Sequence, residues 1–236
     1  MAEVRKNVKV FVVLAVLLCV GVPLSFDIIA RILGKDKINM PVYYEGDKKI
    51  KSHEAWKMAG QGQLKPVSEL NAVNQFGDHV SLNNDLKGRL LVINFFFTSC
   101  PDVCPKLTNN IKMLENAFRR SPMSRNDTIV QFISISVDPA RDSVDALQAY
   151  AKRFGVDQNR WWFLTGDKHA LYDYARNQLH VFAPQGDGGA DDFIHTEQVV
   201  ILDRDRFIRG HYNGLDSLDL AYCVKDLGLL AMEKKK

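Results

Sequence analysis

A transition from strand to helix is predicted at Phe95-Phe96-Phe97-Thr98-Ser99-Cys100-Pro101-Asp102-Val103-Cys104-Pro105. The apolar residues at its start are typical of a buried strand, and the residues from Cys104 onward follow a helical pattern. In a helix, residues i and i+4 lie about 40° apart around the axis. Cys100 and Cys104 can therefore face one point near the N-terminus of the helix, where free amide groups favour the thiolate form of cysteine. This arrangement predicts a site for a soft metal ion or for redox chemistry.

The same two cysteines could instead form a structural disulfide or lie buried at the end of the strand. A disulfide across a single turn closes a short loop and so contributes little stability, and buried cysteines do not require flanking prolines. We therefore favour the functional interpretation of the pair.

The pattern around this stretch alternates between strand and helix. Residues 89–97 form a continuous apolar run, as expected for a strand buried on both faces of a sheet, and residues 74–82 are typical of a hairpin around Gly77-Asp78. Further strands are predicted at 128–137, 161–164, 197–202 and 207–211, and helices at 106–120, 143–154, 169–179 and 216–232. A central βαβ unit followed by ββα is the layout of a thioredoxin-like fold of the α/β class, with a mixed sheet flanked by helices.

Composition excludes some functions. The chain has 31 basic and 28 acidic residues, which are interleaved and give a net charge of only +3, so we expect no nucleic-acid partner. The four cysteines, at positions 19, 100, 104 and 223, do not resemble the disulfide framework of a secreted protein. Cys223 lies at helical spacing among apolar residues, which predicts burial as a small hydrophobic side chain.

The N-terminal region predicts a membrane anchor. Residues 1–9 form a basic tail, residues 10–29 a transmembrane anchor with an uncharged run from Val10 to Phe26, residues 30–63 a stalk, and residues 64–236 the folded domain. The alternative is a signal peptide that is removed after export. No convincing small-residue cleavage site follows the apolar run, which favours the anchor. Charge alone determines its orientation only weakly, because basic residues flank both ends.

Four motifs follow one another in order between residues 64 and 214. They are Thr98-Ser99-Cys100-Pro101-Asp102-Val103-Cys104-Pro105, Ser136-Val137-Asp138-Pro139-Ala140-Arg141-Asp142, Leu164-Thr165-Gly166 and Asp191-Asp192-Phe193-Ile194-His195-Thr196. Together they resemble the Sco/SenC family of membrane-anchored copper proteins.

The resemblance implies a metal site and a partner. By match to the family, Cys100, Cys104 and His195 would bind one copper ion per chain. The protein would then help to metallate the dicopper site of cytochrome c oxidase, or serve another cuproenzyme. The resemblance also implies a single-pass protein of the bacterial inner membrane with its domain on the periplasmic side, or a domain in the mitochondrial intermembrane space.

The chemistry of the three side chains agrees with this implication. Two thiolates and an imidazole suit Cu(I), and can hold Cu(II) if an oxygen ligand joins them. Zinc accepts the same ligands together with a water molecule, so ligand identity alone leaves the metal open. His195 lies 91 residues after Cys104, just ahead of a predicted strand, and only the fold can bring them together.

Other polar residues receive simpler interpretations. Asp138-Pro139 is expected to shape a turn, and Asp142 or Ser143 to cap the next helix, with a role in orienting the site as the less favoured alternative. Asp102 could offer an oxygen to Cu(II) or point into solvent. The remaining histidines are expected to be surface or loop residues: His53, His79, His169, His180 and His211.

Three functions are compatible with the cysteine pair and the family resemblance. The first is a copper chaperone, the second a thiol:disulfide oxidoreductase that uses Cys100 and Cys104, and the third a peroxiredoxin-like peroxidase. The first two both require reduced cysteines, and only His195 separates them, because metal delivery needs this residue and dithiol exchange does not.

Overall fold

A seven-stranded mixed sheet forms the centre of the fold. The computed structural model describes residues 44–45, 48–49, 65–120, 129–181 and 196–233. The strands of this sheet are β3 (Asn71–Asn74), β4 (His79–Ser81), β5 (Leu90–Phe96), β6 (Val130–Ser136), β7 (Trp161–Thr165), β8 (Gln198–Leu202) and β9 (Ile208–Asn213). Their order across the sheet is β4-β3-β7-β6-β5-β8-β9. A separate hairpin pairs β1 (Tyr44–Glu45) with β2 (Lys48–Lys49).

Five α-helices and one π-helical turn accompany these strands in the described part of the chain. The helices are α1 (Leu82–Asp85), α2 (Val103–Arg120), α3 (Val144–Phe154), α4 (Lys168–Asp173) and α5 (Ser217–Met232), and the π turn is Tyr174–Gln178.

The three central strands are parallel, and antiparallel strands extend the sheet on both sides. β5, β6 and β7 run parallel and are joined through α2 and α3, whereas β3 and β8 pair antiparallel to β7 and β5. Every residue of β5 and β6 is buried, and for β5 this is the burial predicted from the continuous apolar run at residues 89–97. The predicted order βαβ followed by ββα is confirmed, and the architecture is that of a thioredoxin-like fold.

Helices cover both faces of the sheet. On one face, the buried side of α2 (Leu107, Ile111, Leu114 and Phe118) packs with residues of α3 and α5. On the other face, α1 and α4 contribute Leu82 and Leu171 to a second apolar layer. Cys223 of α5 is wholly buried in the first layer, as its spacing predicts.

Local turn chemistry agrees with the sequence at three points. Gly77, in the turn between β3 and β4, has a φ of +85°, a conformation that favours glycine. Ser143 caps α3 by accepting a hydrogen bond from the backbone N–H of Ala146 at 3.3 Å, and Gly155 ends the helix in the left-handed region.

Several predicted boundaries differ from the structure by a few residues, and two differences have a local cause. Residues 169–179 are not one α-helix, because α4 ends at Asp173 and the π turn follows, with the N–H of Leu179 donating to the carbonyl of Tyr174. The wider π turn buries Tyr174, Ala175 and Leu179 together. The number of residues per turn increases there, which a pattern of α-helical spacing does not predict. The last strand extends to Asn213 rather than 211, beyond an irregularity in its pairing at Ile201/Leu202.

The predicted anchor at residues 10–29 lies outside the described residues, as does the stalk at 30–63 apart from β1 and β2. Within the ranges that the structure describes, no helix is long and apolar enough to cross a membrane.

Candidate metal centre

Cys100 and Cys104 lie where β5 gives way to α2. Cys100 sits in the connection between the two elements and is partly buried, whereas Cys104 occupies the first turn of α2 and is buried. The backbone N–H of Cys104 donates a hydrogen bond to Sγ of Cys100 at 3.3 Å. The fold thus brings the two cysteines together at the helix N-terminus, as the four-residue spacing predicts.

The pKa values of the two thiols are shifted in opposite directions. Burial alone would raise the pKa of Cys100, but hydrogen bonds from the Cys104 thiol and from the backbone N–H groups of residues 102–104 outweigh it and lower that pKa. Burial raises the pKa of Cys104 to about 12, and its hydrogen bond to Cys100 acts in the same direction. The expectation that the helix N-terminus favours thiolate at both positions is therefore wrong for Cys104, because this side chain points into the core.

A cavity opens beside the dithiol at the carboxyl edge of the parallel strands. Its volume is about 770 Å³. The described residues that line it come from the ends of β5, β6 and β9, the N-terminal residues of α2, and the start of β8. They are Phe95, Phe96, Phe97, Cys100, Pro101, Asp102, Val103, Cys104, Val137, Thr196, Glu197, Gln198, His211, Tyr212, Asn213 and, from α5, Asp219. This edge is where open α/β sheets bind their ligands.

His211 is a functional candidate that the sequence analysis missed. It was expected on the surface or in a loop, but it lies in β9, is partly buried and lines the same cavity as the dithiol. Its Nε2 is 2.8 Å from the carbonyl oxygen of Leu179, and burial lowers its pKa. Alternation along β9 places His211 and Tyr212 on opposite faces of the sheet, but both line the cavity, so no signal in the sequence indicated this position of His211.

A hydrogen-bond cluster behind the cysteines centres on Asp142. The carboxylate is wholly buried and accepts hydrogen bonds from the backbone N–H and the hydroxyl of Thr98 and from the hydroxyl of Ser136. Asp142 does not cap α3, because Ser143 does so. Its contact with Thr98, two residues before Cys100, connects it instead to the cysteine turn.

Asp102 and Asp138 form ion pairs near the site. Asp102 is exposed and pairs with Lys106 at 2.7 Å, one turn along α2. Asp138 is buried and pairs with the exposed Arg141 in the turn after β6, which agrees with the predicted structural role of this turn.

His195 lies outside the described residues, and its neighbour Thr196 lines the cavity. Among residues 65–120, 129–181 and 196–233, no group of three histidine, cysteine, aspartate or glutamate side chains has a metal-binding arrangement.

Comparison with known proteins identifies the family. The family model SCO1/SenC matches residues 59–224. The SCO1 protein homolog of Bacillus subtilis (strain 168) is 27% identical over 155 residues, which cover 65% of this chain and 77% of the relative.

Two solved structures agree with this match. BsSco, in which a disulfide switch was identified and which is a member of the Sco family of cytochrome c oxidase assembly proteins, superposes with a TM-score of 0.59 at 26% identity, covering 72% of this chain and 95% of that structure. Bradyrhizobium japonicum ScoI with copper bound gives a TM-score of 0.52 at 26% identity, covering 68% and 98% of the two chains. The match to the family model extends over more than half of the chain, which therefore belongs to the SCO1/SenC family.

Proposed function

We propose that this protein is a membrane-anchored copper chaperone. It holds one copper ion through Cys100, Cys104 and His195 and delivers the ion to the copper-bearing subunit of cytochrome c oxidase or to another cuproenzyme. The observation that carries the proposal is the 3.3 Å contact between the N–H of Cys104 and Sγ of Cys100 at the edge of a large cavity. It brings two soft donors to one place that a metal ion or a partner can reach.

The donor chemistry fits copper as the cargo. Cu(I) favours two or three soft ligands, and the two cysteines offer a sulfur pair in which one thiol already favours the thiolate. Cys104 must lose its proton on binding, so metal uptake is coupled to proton release. The position of Thr196 on the cavity wall supports His195 as the third ligand. Copper bound in Bradyrhizobium japonicum ScoI supports copper over zinc.

Thiol:disulfide exchange is the second candidate function, and the unequal thiols favour it. A pair in which one thiol is acidic and the other is not has the arrangement of a nucleophile and a resolving cysteine. In such a reaction, Cys100 and Cys104 become a disulfide while a partner disulfide gains two electrons and two protons to become a dithiol.

The proposed anchor at residues 10–29 would hold the domain on the periplasmic side of the inner membrane. Tethering raises the effective concentration of the domain near a membrane-embedded oxidase. Intact-mass measurement of the protein recovered from its native membrane tests this part of the proposal. A mass that includes residue 1 supports the anchor, whereas a mature N-terminus near Ala30 contradicts it.

One experiment separates delivery from reduction. The full chain, loaded with Cu(I), is mixed with the metal-free copper-bearing domain of an oxidase whose cysteines are already reduced, and the copper content of the acceptor is measured by metal analysis after the two proteins are separated. The wild type should transfer copper, and His195→Ala, which keeps both thiols, should not. Equal support of oxidase assembly in cells by His195→Ala and the wild type would instead favour the reductase.

A further inference from the structure

The buried carboxylate of Asp142 links the turn after β6 to the turn that carries Cys100. Its Oδ1 accepts the hydroxyl of Thr98 at 2.5 Å, and its Oδ2 accepts the hydroxyl of Ser136 at 2.5 Å. The backbone N–H of Thr98 lies 3.2 and 3.3 Å from the two oxygens. Three donors from two chain segments therefore converge on one side chain.

On the Ser136 side, hydrogen bonds tie this contact to the end of β6 and to the turn that follows it. Ser136 is the last residue of the central strand β6, and its Oγ also accepts the N–H of Asp138 at 3.0 Å. The N–H of Asp142 donates to the carbonyl of Asp138 at 2.9 Å, which closes the turn on itself. The carboxylate is thus fixed relative to the sheet, and the turn that begins at Thr98 is the element that it can hold in place.

On the Thr98 side, the contact lies next to the dithiol in the chain. Thr98 is two residues before Cys100, and the N–H of Cys100 donates to the carbonyl of Phe97 at 3.3 Å. Ser99, between Thr98 and Cys100, is exposed, whereas Phe97 and Cys100 at the two ends of the turn pack partly against the core. The hydrogen bonds of Thr98 with Asp142 therefore fix the polar part of this turn and act together with that packing to place Sγ of Cys100 over the N–H of Cys104.

A buried carboxylate is costly, and the local fold does not require this one. Removing an ionised group from water costs free energy unless hydrogen bonds compensate it. Ser143 already caps α3, so Asp142 is not needed to start that helix. Its compensating hydrogen bonds go instead to the cysteine turn and to the strand end.

We propose that Asp142 is the positioning residue of the dithiol: by holding Thr98 it fixes the turn at 97–100 and places Sγ of Cys100 for metal binding. The proposal rests on the copper-binding function proposed above. Asp142 acts through Thr98 and does not itself bind the metal. Partners that orient metal ligands in this way typically change metal affinity by 10- to 100-fold when they are removed.

The test compares four variants of the full chain, purified in mild detergent. Asp142→Ala removes the acceptor, and Thr98→Val removes only the hydroxyl donor and keeps the backbone N–H. The double variant measures whether the two act together. Asp145→Asn is the matched control, because it removes an exposed carboxylate from the first turn of α3. Near-ultraviolet circular dichroism verifies the fold of each variant.

Two readouts are measured, and only one involves metal. The first is the affinity for Cu(I) in competition with a chelator, and the second is the rate at which iodoacetamide alkylates Cys100 at fixed pH. We expect Asp142→Ala to lower the affinity by about 10- to 100-fold and to slow alkylation. Thr98→Val should show a smaller effect of the same sign, the double variant should be no worse than Asp142→Ala, and Asp145→Asn should match the wild type.

A folded Asp142→Ala variant with unchanged affinity and unchanged alkylation overturns the proposal. So do effects of the two single variants that simply add, since they would then act independently. If Asp142→Ala does not fold, the test rests on Thr98→Val. A Cu(I) affinity and an alkylation rate equal to those of the wild type in this variant would overturn the proposal. If the wild type itself binds no Cu(I), the proposed function fails, while the alkylation rates still decide whether Asp142 positions Cys100.

Discussion

The backbone N–H of Cys104 lies 3.3 Å from Sγ of Cys100 and donates a hydrogen bond to it. This contact stabilises negative charge on Cys100, whereas the side chain of Cys104 points into the layer formed by α2, α3 and α5. Both cysteines line the cavity, but their environments differ, since Cys100 is partly exposed and Cys104 is buried as part of the core. The difference between them governs both the metal chemistry and the redox chemistry of the site.

Cys100 should react with alkylating reagents before Cys104. Hydrogen bonds lower the pKa of Cys100, whereas burial raises the pKa of Cys104 to about 12, so Cys100 has the larger thiolate fraction. Peptide mass mapping after brief iodoacetamide treatment measures this order. Cys104→Ser should keep a rapidly alkylated thiol and Cys100→Ser should lose it. Equal labelling of both cysteines in the wild type would contradict the assigned environments.

Oxidation of the pair should abolish copper binding. Formation of the Cys100–Cys104 disulfide removes two electrons and two protons, and metal ligation requires thiolates. Protein oxidised with diamide and then desalted should bind no Cu(I), and reduction should restore one copper per chain. Cys223→Ser serves as the control, because this buried thiol lies in α5, away from the cavity lining. The same copper stoichiometry in oxidised and reduced protein would exclude the dithiol as the site.

Gly214 should not tolerate a larger side chain. A Cβ atom there would clash with the side chain of Leu107 and lie 3.0 Å from the carbonyl oxygen of Glu197, and the backbone is fixed by hydrogen bonds to Glu197 and Asn110. We expect Gly214→Ala to lower the free energy of unfolding by about 1–3 kcal/mol, the usual cost of overpacking.

Urea denaturation measures this effect, and a second glycine provides the control. At Gly166 a Cβ atom would meet only Ala72, at an ordinary contact distance of 3.7 Å. Gly166→Ala should therefore change stability little. A Gly214→Ala variant as stable as Gly166→Ala would contradict the close packing of Leu107 against the turn between β9 and α5.

His211 should make the protein less stable in mild acid. Burial lowers its pKa in the folded state, so below the ordinary value of about 6.5 the unfolded chain binds more protons than the folded one. The contribution of His211 is therefore complete above that pH and is lost as the pH falls through 6.5 towards the folded pKa. The free energy of unfolding of the wild type should decline over this range more steeply than that of His211→Gln. Parallel pH profiles for the two proteins would contradict the burial of this imidazole.

Much of this account follows from sequence periodicity, and the exceptions have physical causes. The spacing of Leu107, Ile111 and Leu114 predicts the buried face of α2, and the apolar run before Cys100 predicts the central strand. The cysteine spacing predicts that the two residues meet at the helix N-terminus. These features are local, because they depend on residues within a few turns of one another.

The missed features depend on contacts between distant segments. Asp142 meets Thr98 across 44 residues, and His211 reaches Leu179 across 32 residues. The high pKa of Cys104 results from packing with helices that come later in the chain. No local pattern carries these relationships, since each requires the sheet order to be known.

The central claim is that Cys100, Cys104 and His195 hold one copper ion. The most direct test is the copper content and Cu(I) affinity of the full chain, measured by chelator competition beside a parallel titration with zinc. Cys100→Ser, Cys104→Ser and His195→Ala are compared with His169→Ala, which changes an exposed histidine of α4. The account predicts one copper per chain, a preference for copper over zinc, and a loss of affinity in the first three variants but not in His169→Ala. Wild-type affinity in a double variant of His195→Ala and Cys104→Ser would contradict it.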